Sequence, residues 1–173
     1  ENYRKVSEAL LIALEYIGIP GELAAGPDAT PEGFQGACFS YAARFEVVVQ
    51  ARKIVGSAQR RARGIVLQHG SMLLGPGHKR LPLLLPHTQH EKRNTLIQDL
   101  DERTISVSEI LHRTVSHDEM APLVKEGFES KLALTCLDLP LTVEEETAAA
   151  TLATEKYRNH EWTTRSKPQH AIR

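Results

Sequence analysis

Three residues with reactive side chains, Cys38, Lys53 and His69, lie close together in the sequence. A cysteine thiolate is a nucleophile, a lysine ammonium stabilises developing negative charge, and a histidine transfers protons. Gly56 interrupts the apolar run after Lys53, and a glycine inside a strand allows a ligand to approach the backbone closely. These residue types together suggest acyl-transfer chemistry.

Each of these residues also has an ordinary structural interpretation. A free cysteine is most often a small buried hydrophobe, a lysine at a turn is usually solvated, and a strand histidine often has only a structural role. The loop that ends at Cys38 favours an exposed thiol, and a nearby Lys53 ammonium would raise its thiolate fraction. The residues alone therefore leave the role of Cys38 open. Gly56-Ser57-Ala58 would form a narrow wall for an acyl chain or a small cofactor.

Length and composition indicate one compact domain of 173 residues with a sizeable core. The net charge of −1 provides no argument for binding nucleic acid or an anionic membrane, and no apolar run approaches the roughly 18–20 residues of a membrane span. Two distant cysteines, Cys38 and Cys136, favour a reducing cytoplasm over a disulfide framework. Neither a CxxC motif nor another zinc-ligand spacing occurs, so we expect no metal site.

The patterns predict an α+β fold. An amphipathic helix over residues 2–18 precedes a short strand at 22–24. Strands at 44–50, 53–60 and 64–74 follow, with Ala51-Arg52 as the first turn, and together they predict an antiparallel meander with flanking helices.

Capping motifs predict the remaining helices. In three places a Ser or Thr is followed by a Glu three residues later. The pairs are Ser106/Glu109, Ser116/Glu119 and Thr142/Glu145. The last of these helices should run to about Tyr157. One uncertain helix is expected within residues 75–105. Alternation over residues 131–138 predicts a strand that would place Cys136 in the core.

Four segments of this sequence resemble the biotin/lipoate protein ligase superfamily. They are Ala37-Cys38-Phe39, Phe45-Glu46-Val47-Val48-Val49, the stretch from Lys53-Ile54-Val55-Gly56-Ser57-Ala58-Gln59 to Arg60, and Leu67-Gln68-His69-Gly70-Ser71. Within the superfamily they look most like the cysteine-dependent octanoyltransferases of lipoate assembly. The likeness covers nearly the whole chain and implies a ligase-like catalytic domain with an antiparallel or mixed sheet and flanking helices.

The resemblance implies a two-step transfer. The residue in the position of Cys38 attacks the thioester of octanoyl acyl carrier protein, and a lysine of a lipoyl-domain protein, such as the glycine cleavage H protein or an E2 subunit, then takes the acyl group. Lys53 would hold the acyl carbonyl. The implied substrate-binding residues are Gly56, Ser57, Ala58, Gln59, His69 and Gly70, and neither a metal nor a cofactor is needed.

Two alternatives remain beside the transferase. In the related lipoate-protein ligases, which use ATP and Mg²⁺, the lysine acts and no cysteine is required. The Arg-Arg-x-Thr-Gly-Gly-Gly motif of the family's first half is absent here, so we expect residues 1–165 to be the C-terminal portion of the catalytic domain, followed by a polar tail at 166–173. The chain would then lack the N-terminal half, and the second alternative is a non-catalytic subunit that binds this half as a separate chain.

Overall fold

A computed structural model describes residues 2–26, 42–85 and 90–164 of the chain. The chain divides into two compact units, Glu1–Cys136 and Leu137–Arg173. Both helices and an antiparallel sheet are present, which confirms the predicted α+β class. Among the residues described, no helix is both long and apolar enough to cross a bilayer.

The first unit contains a four-stranded antiparallel sheet in the order β1-β2-β3-β4. The strands are β1 (Glu22–Leu23), β2 (Val47–Val49), β3 (Arg52–Ala62) and β4 (Ile65–Met72). The predicted short strand and the meander are therefore confirmed. The register of the long hairpin pairs Val55 with Met72 and Ala62 with Ile65.

Two-residue turns join the longer strands. Gln50 and Ala51, with φ of 51° and 60°, join β2 to β3, and Arg63 and Gly64, with φ of 51° and 77°, join β3 to β4. Positive φ at both central residues is typical of the type I′ turn, whose twist matches that of a hairpin. The first turn therefore lies one residue earlier than the predicted Ala51-Arg52 turn, and the third long strand begins after Gly64.

Replacing Ala51 with glycine is expected to stabilise the protein by about 0.5–1 kcal/mol. A Cβ at positive φ crowds the following carbonyl, and glycine removes this strain at a smaller entropic cost. The melting temperature should rise by about 1–4 °C. The control is Ala62→Gly, a strand position without positive φ, which should cost about 0.5–1 kcal/mol. Equal losses in both variants would contradict the prediction.

Helices α1 (Asn2–Tyr16) and α4 (His117–Leu132) pack against each other and contribute to the same core as the sheet. Both helices were predicted at these positions. Glu8 of α1 pairs with Lys131 of α4 at 2.8 Å. The core joins apolar residues of these helices, the strands, the connection between α1 and β1, and the segment from Ile105 to Val115. Its buried members are Ala13, Leu14, Ile19, Val47, Val49, Ile54, Val55, Ile105, Val107, Val115 and Met120.

The connection after β4 contains a 3₁₀ helix (Pro76–Leu84), α2 (His90–Arg103) and α3 (Val107–Leu111). Ser106 and Glu109 form the predicted capping box before α3, and Glu109 also pairs with Lys79 at 2.7 Å. Ser116 caps α4 by accepting the Glu119 backbone N–H at 3.1 Å. Beyond α2, Ile105 donates its N–H to the Lys53 carbonyl at 3.1 Å, which attaches this connection to β3.

The strand predicted over residues 131–138 is wrong. Helix α4 continues through Leu132 and ends where Ala133 adopts a φ of 51°, and residues 134–141 form neither helix nor strand. Cys136 is partly exposed and is a free thiol, so it is not the core residue that the alternation predicted.

The second unit is helical. The capping box of Thr142 and Glu145 begins α5 (Val143–Leu152), which continues as a π-helical turn (Ala153–Tyr157) and so confirms the predicted end near Tyr157. In α6 (His160–Thr164), the Trp162 ring lies edge-on to the Tyr157 ring, with ring centroids 4.8 Å apart.

Candidate active site

Lys53, the second residue of β3, is buried and ion-paired. Its Nζ lies 2.8 Å from Oε2 of Glu46, and each of the two side chains is only 5% exposed. The alternative of a solvated hairpin lysine is therefore wrong. A buried ammonium held by one carboxylate is a preorganised positive charge, the type of group that stabilises an oxyanion in a site that excludes water.

The Glu46 carboxylate also binds two backbone N–H groups. Oε1 accepts the N–H of Ser57 at 3.2 Å, and Oε2 accepts the N–H of Ala43 at 2.8 Å. Ser57 belongs to the Gly-Ser-Ala-Gln stretch of β3, whereas Ala43 precedes β2. One side chain thus connects Lys53 with two separate backbone segments.

Tyr3 of α1 contacts the same region. Its hydroxyl donates to the Ser57 carbonyl at 3.2 Å. Burial and the nearby Glu46 charge raise the pKa of Tyr3 to about 12, although the Ser57 contact lowers it slightly. Tyr3 is therefore a neutral phenol at physiological pH and acts here as a hydrogen-bond donor.

The pairing of β2 with β3 is irregular beside Lys53. Val48 pairs with Lys53 and Val47 with Val55, so Ile54 is an extra residue of β3, and Lys53 lies on the face opposite to Val55. Beyond this irregularity, Ser57 and Gln59 share the face of Val55. Gln59 donates to the side chain of Gln68, its partner on β4, at 2.8 Å.

Ala58 and His69 are directly paired across β3 and β4. Alternation from Val55 places this pair on the face opposite to Val55, which is also the side of Lys53. Ala58 and His69 are both exposed, whereas Lys53 is buried. The expectation that Lys53 and His69 could face one thiol together remains a prediction.

The two glycines of the predicted site lie in the long hairpin, with Gly56 paired with Ser71 and Gly70 paired with Ser57. A Cβ added to Gly70 would lie 2.7 Å from Ser57 Oγ and 2.8 Å from the Gly56 carbonyl oxygen. Gly70 therefore permits a close approach between the two strands. Its part in substrate binding remains a prediction.

Cys38 lies outside the described residues, and its role as nucleophile remains a prediction. In the sequence Cys38 lies five residues before Ala43, whose N–H donates to the Glu46 carboxylate. Within residues 2–26, 42–85 and 90–164, no group of three or more His, Cys, Asp or Glu side chains is arranged to hold a metal ion.

A cavity of about 500 Å³ lies beside Phe45, the residue before Glu46. Phe45 has a φ of 67°. The guanidinium carbons of Arg4 and Arg44 lie 5.9 and 4.7 Å from the centroid of its ring. The volume falls in the range of small-ligand sites. The cavity is lined by Arg4, Leu23, Ala24, Ala25, Gly26, Arg44 and Phe45.

The sequence interpretation missed the roles of Glu46 and Tyr3. Glu46 stands directly before three valines that are all buried, and an acidic residue next to such a run is a signal of a paired, buried charge. Tyr3 offers no comparable signal, because its contact with Ser57 joins residues 54 positions apart.

Comparison with known proteins agrees with this fold. Residues 1–129 match the family of the lipoyl protein ligase A/B catalytic domain. The chain is 36% identical over 169 residues to octanoyltransferase LipM of Symbiobacterium thermophilum, covering 95% of this chain and 62% of that protein. It is 30% identical over 167 residues to octanoyltransferase LipM of Bacillus subtilis, covering 94% of this chain and 60% of that protein.

Solved structures of lipoate-protein ligases share the fold. A bipartite lipoate protein ligase of Thermoplasma acidophilum, described together with its E2 lipoyl domain, gives a TM-score of 0.73 at 22% identity, over 98% of this chain and 60% of that chain. Lipoate-protein ligase A bound with ATP gives a TM-score of 0.67 at 23% identity, over 92% of this chain and 57% of that chain.

The chain spans 60–62% of the length of the curated relatives named above. Within that span, the matched residues include the whole sheet, Glu46 and Lys53. The chain belongs to the lipoyl protein ligase A/B catalytic domain family.

Proposed function

We propose that this chain belongs to an octanoyltransferase that moves an acyl group from an acyl carrier protein to a lysine of a lipoyl-domain protein. The buried ammonium of Lys53, held by Glu46, is the observation that carries the proposal. Acyl transfer passes through an oxyanion, and a fixed, desolvated positive charge is the group that lowers the energy of that state. The relatives named octanoyltransferase support the same reaction class.

The proposed reaction has two steps. The Cys38 thiolate attacks the carbonyl carbon of the octanoyl thioester, the oxyanion forms near Lys53, and the carrier thiolate leaves and takes up a proton. The ε-amine of the acceptor lysine then attacks the new thioester on Cys38. The C–S bond breaks, an amide forms, the amine loses a proton, and the Cys38 thiol is regenerated.

The other predicted contacts remain part of this proposal. Gly56, Ser57 and Gln59, in the part of β3 that follows Lys53, would line the acyl chain. Ala58 and His69, on the side of the sheet that carries Lys53, would contact a substrate, and Gly70 would act through the close spacing of the two strands. Residues 1–165 are proposed as one part of the catalytic domain, with 166–173 as a polar tail.

The alternative is an ATP- and Mg²⁺-dependent lipoate-protein ligase, in which Lys53 contacts the acyl-adenylate and Cys38 has no role. The fold shared with an ATP-bound ligase favours this reading. In a further alternative, the chain binds a lipoyl-domain protein but acts only together with a second polypeptide.

Intact mass spectrometry after incubation with octanoyl acyl carrier protein tests the proposal. We expect an adduct of about 126 Da, the mass added when a thiol becomes an octanoyl thioester. The adduct should be absent in Cys38→Ser and should disappear when a lipoyl-domain acceptor is added. Cys136→Ser, which replaces the partly exposed cysteine, is the matched control and should retain the adduct.

Each alternative gives a different result in this assay. Acceptor labelling that requires ATP, with no adduct on the enzyme, would support the ligase and contradict the transferase. An adduct that forms only after adding a polypeptide that supplies the uncovered part of the relatives would support a split enzyme. An adduct retained in Cys38→Ser would contradict the assigned nucleophile.

A further inference from the structure

The Glu46 carboxylate connects three parts of the fold. It pairs with the Lys53 ammonium at 2.8 Å and accepts backbone N–H groups of Ser57 and Ala43 at 3.2 and 2.8 Å. A buried ion pair is often no more stabilising than a well-packed apolar pair of the same volume. Stability alone therefore does not account for two charged side chains that are each 5% exposed.

The backbone that leads into Glu46 is held in an unfavourable conformation. Phe45 has a φ of 67°, which is uncommon for a bulky residue. The chain is fixed there by two bonds to Ala24, whose carbonyl accepts the Phe45 N–H at 2.9 Å and whose N–H donates to the Glu46 carbonyl at 2.8 Å. Backbone strain of this kind concentrates at functional sites.

We infer that Glu46 is a positioning residue for the proposed acyl transfer, and this inference rests on the proposed function. Glu46 fixes the position of the Lys53 ammonium, because the carboxylate that pairs with Nζ at 2.8 Å is itself held by two backbone N–H groups. It also fixes the ammonium relative to Ala43, five residues after the proposed nucleophile Cys38.

Two titratable side chains near the Lys53–Glu46 pair, on neighbouring described elements, are uncharged at neutral pH. From α1, Tyr3 faces the pair as a neutral phenol, because burial and the Glu46 charge raise its pKa to about 12. On the other side of β3, Thr104 pairs with Lys53 through the backbone and contacts His78 at 2.6 Å. Burial lowers the pKa of His78, so its imidazole is uncharged at neutral pH.

Glu46→Gln tests the inference, because it removes the charge while keeping the shape. We expect the maximal rate of acyl-enzyme formation to fall at least about 100-fold relative to the wild type, because a misplaced ammonium no longer stabilises the oxyanion. The concentration of octanoyl acyl carrier protein that gives half of this rate should change less than about threefold, since the lost interaction is made only in the transition state. Glu46→Asp retains the carboxylate on a shorter side chain and should lose only about 10-fold of the maximal rate.

The matched control is Glu119→Gln, which removes a carboxylate from an exposed pair with Arg113 at 2.6 Å. It should change neither the maximal rate nor the half-saturating substrate concentration. A role of Glu46 in folding alone would lower the amount of folded enzyme and leave the maximal rate of the folded fraction unchanged. A folded Glu46→Gln protein with the wild-type maximal rate would therefore overturn the inference.

Glu46→Asp gives a second test that does not require Glu46→Gln to fold. A folded Glu46→Asp protein with the wild-type maximal rate would overturn the inference, because the shorter side chain cannot hold Nζ of Lys53 in the same place. Failure of the wild type to form the acyl-enzyme would instead overturn the proposed function.

Discussion

Replacing Lys53 with methionine is expected to slow acyl-enzyme formation by about 100- to 1,000-fold at neutral pH, the usual effect of removing one group that stabilises an oxyanion. Methionine has a similar length but no charge, so the buried position near Glu46 stays filled. Single-turnover intact mass spectrometry measures the rate. Lys53→Arg keeps the charge in a larger, planar group and should lose less activity than Lys53→Met. Equal rates for wild type and Lys53→Met would contradict the proposed role of the ammonium.

The same substitution is also expected to lower the free energy of unfolding by about 3–5 kcal/mol, because it leaves the Glu46 carboxylate buried without its partner. Urea denaturation measures this loss, and the rate comparison is made where Lys53→Met remains folded. The control is Lys131→Met, which breaks the more exposed pair with Glu8 and should cost less than about 1 kcal/mol. The double variant with Glu46→Gln should recover part of the loss, since neither charge remains.

Local sequence signals predicted most elements of the fold. A capping box needs residues only three positions apart, so Ser106 with Glu109 and Thr142 with Glu145 identified real helix starts. The meander followed from strand-like runs separated by short connections. These features depend on neighbours in the chain and do not require knowledge of the tertiary structure.

The placement of His69 required the register. Val48 pairs with Lys53 and Val47 with Val55, so the extra residue Ile54 shifts the alternation along β3. The Ala58–His69 pair therefore lies on the side of the sheet that carries Lys53. Residue types alone could not locate this irregularity, so they could not assign the faces.

The burial of Glu46 could not be predicted from alternation. The pairing of β2 with β3 shifts between Val47 and Val48, because Ile54 is an extra residue of β3. All three valines of β2 are buried, so both faces of the strand are covered. A β-bulge breaks the period of two, and the pattern therefore could not reveal the partner of Lys53.

The false strand at 131–138 has a different cause. Alternation measures only whether one side of a segment would be apolar, and a strand also needs a neighbouring strand for its backbone hydrogen bonds. Helix α4 extends through Leu132, and the Cys136 N–H instead donates to the Glu129 side chain at 2.8 Å. The conformation of this segment is therefore determined by its contact with α4, the helix that precedes it.

The close crossing of α1 and α4 depends on Gly127, and Gly127→Ala is expected to cost about 2–3 kcal/mol of stability. An added Cβ would collide with the Ala9 carbonyl oxygen and would lie 3.0 Å from the Ala13 backbone nitrogen. Ala9 and Ala13 are completely buried, and the obstructing atoms are backbone, so a side-chain rotation cannot relieve the clash. Overpacking of about 1–3 kcal/mol should outweigh the better helix propensity of alanine.

Thermal unfolding tests this prediction, with an expected fall in melting temperature of about 4–12 °C. Gly77→Ala is the matched control, because an added Cβ there meets no atom within 4 Å and the backbone has no positive φ. It should change the stability by less than about 0.5 kcal/mol. If Gly127→Ala were equally stable, the two helices would be able to separate at little cost. The core residues that α1 and α4 share with the sheet would then not require this close crossing.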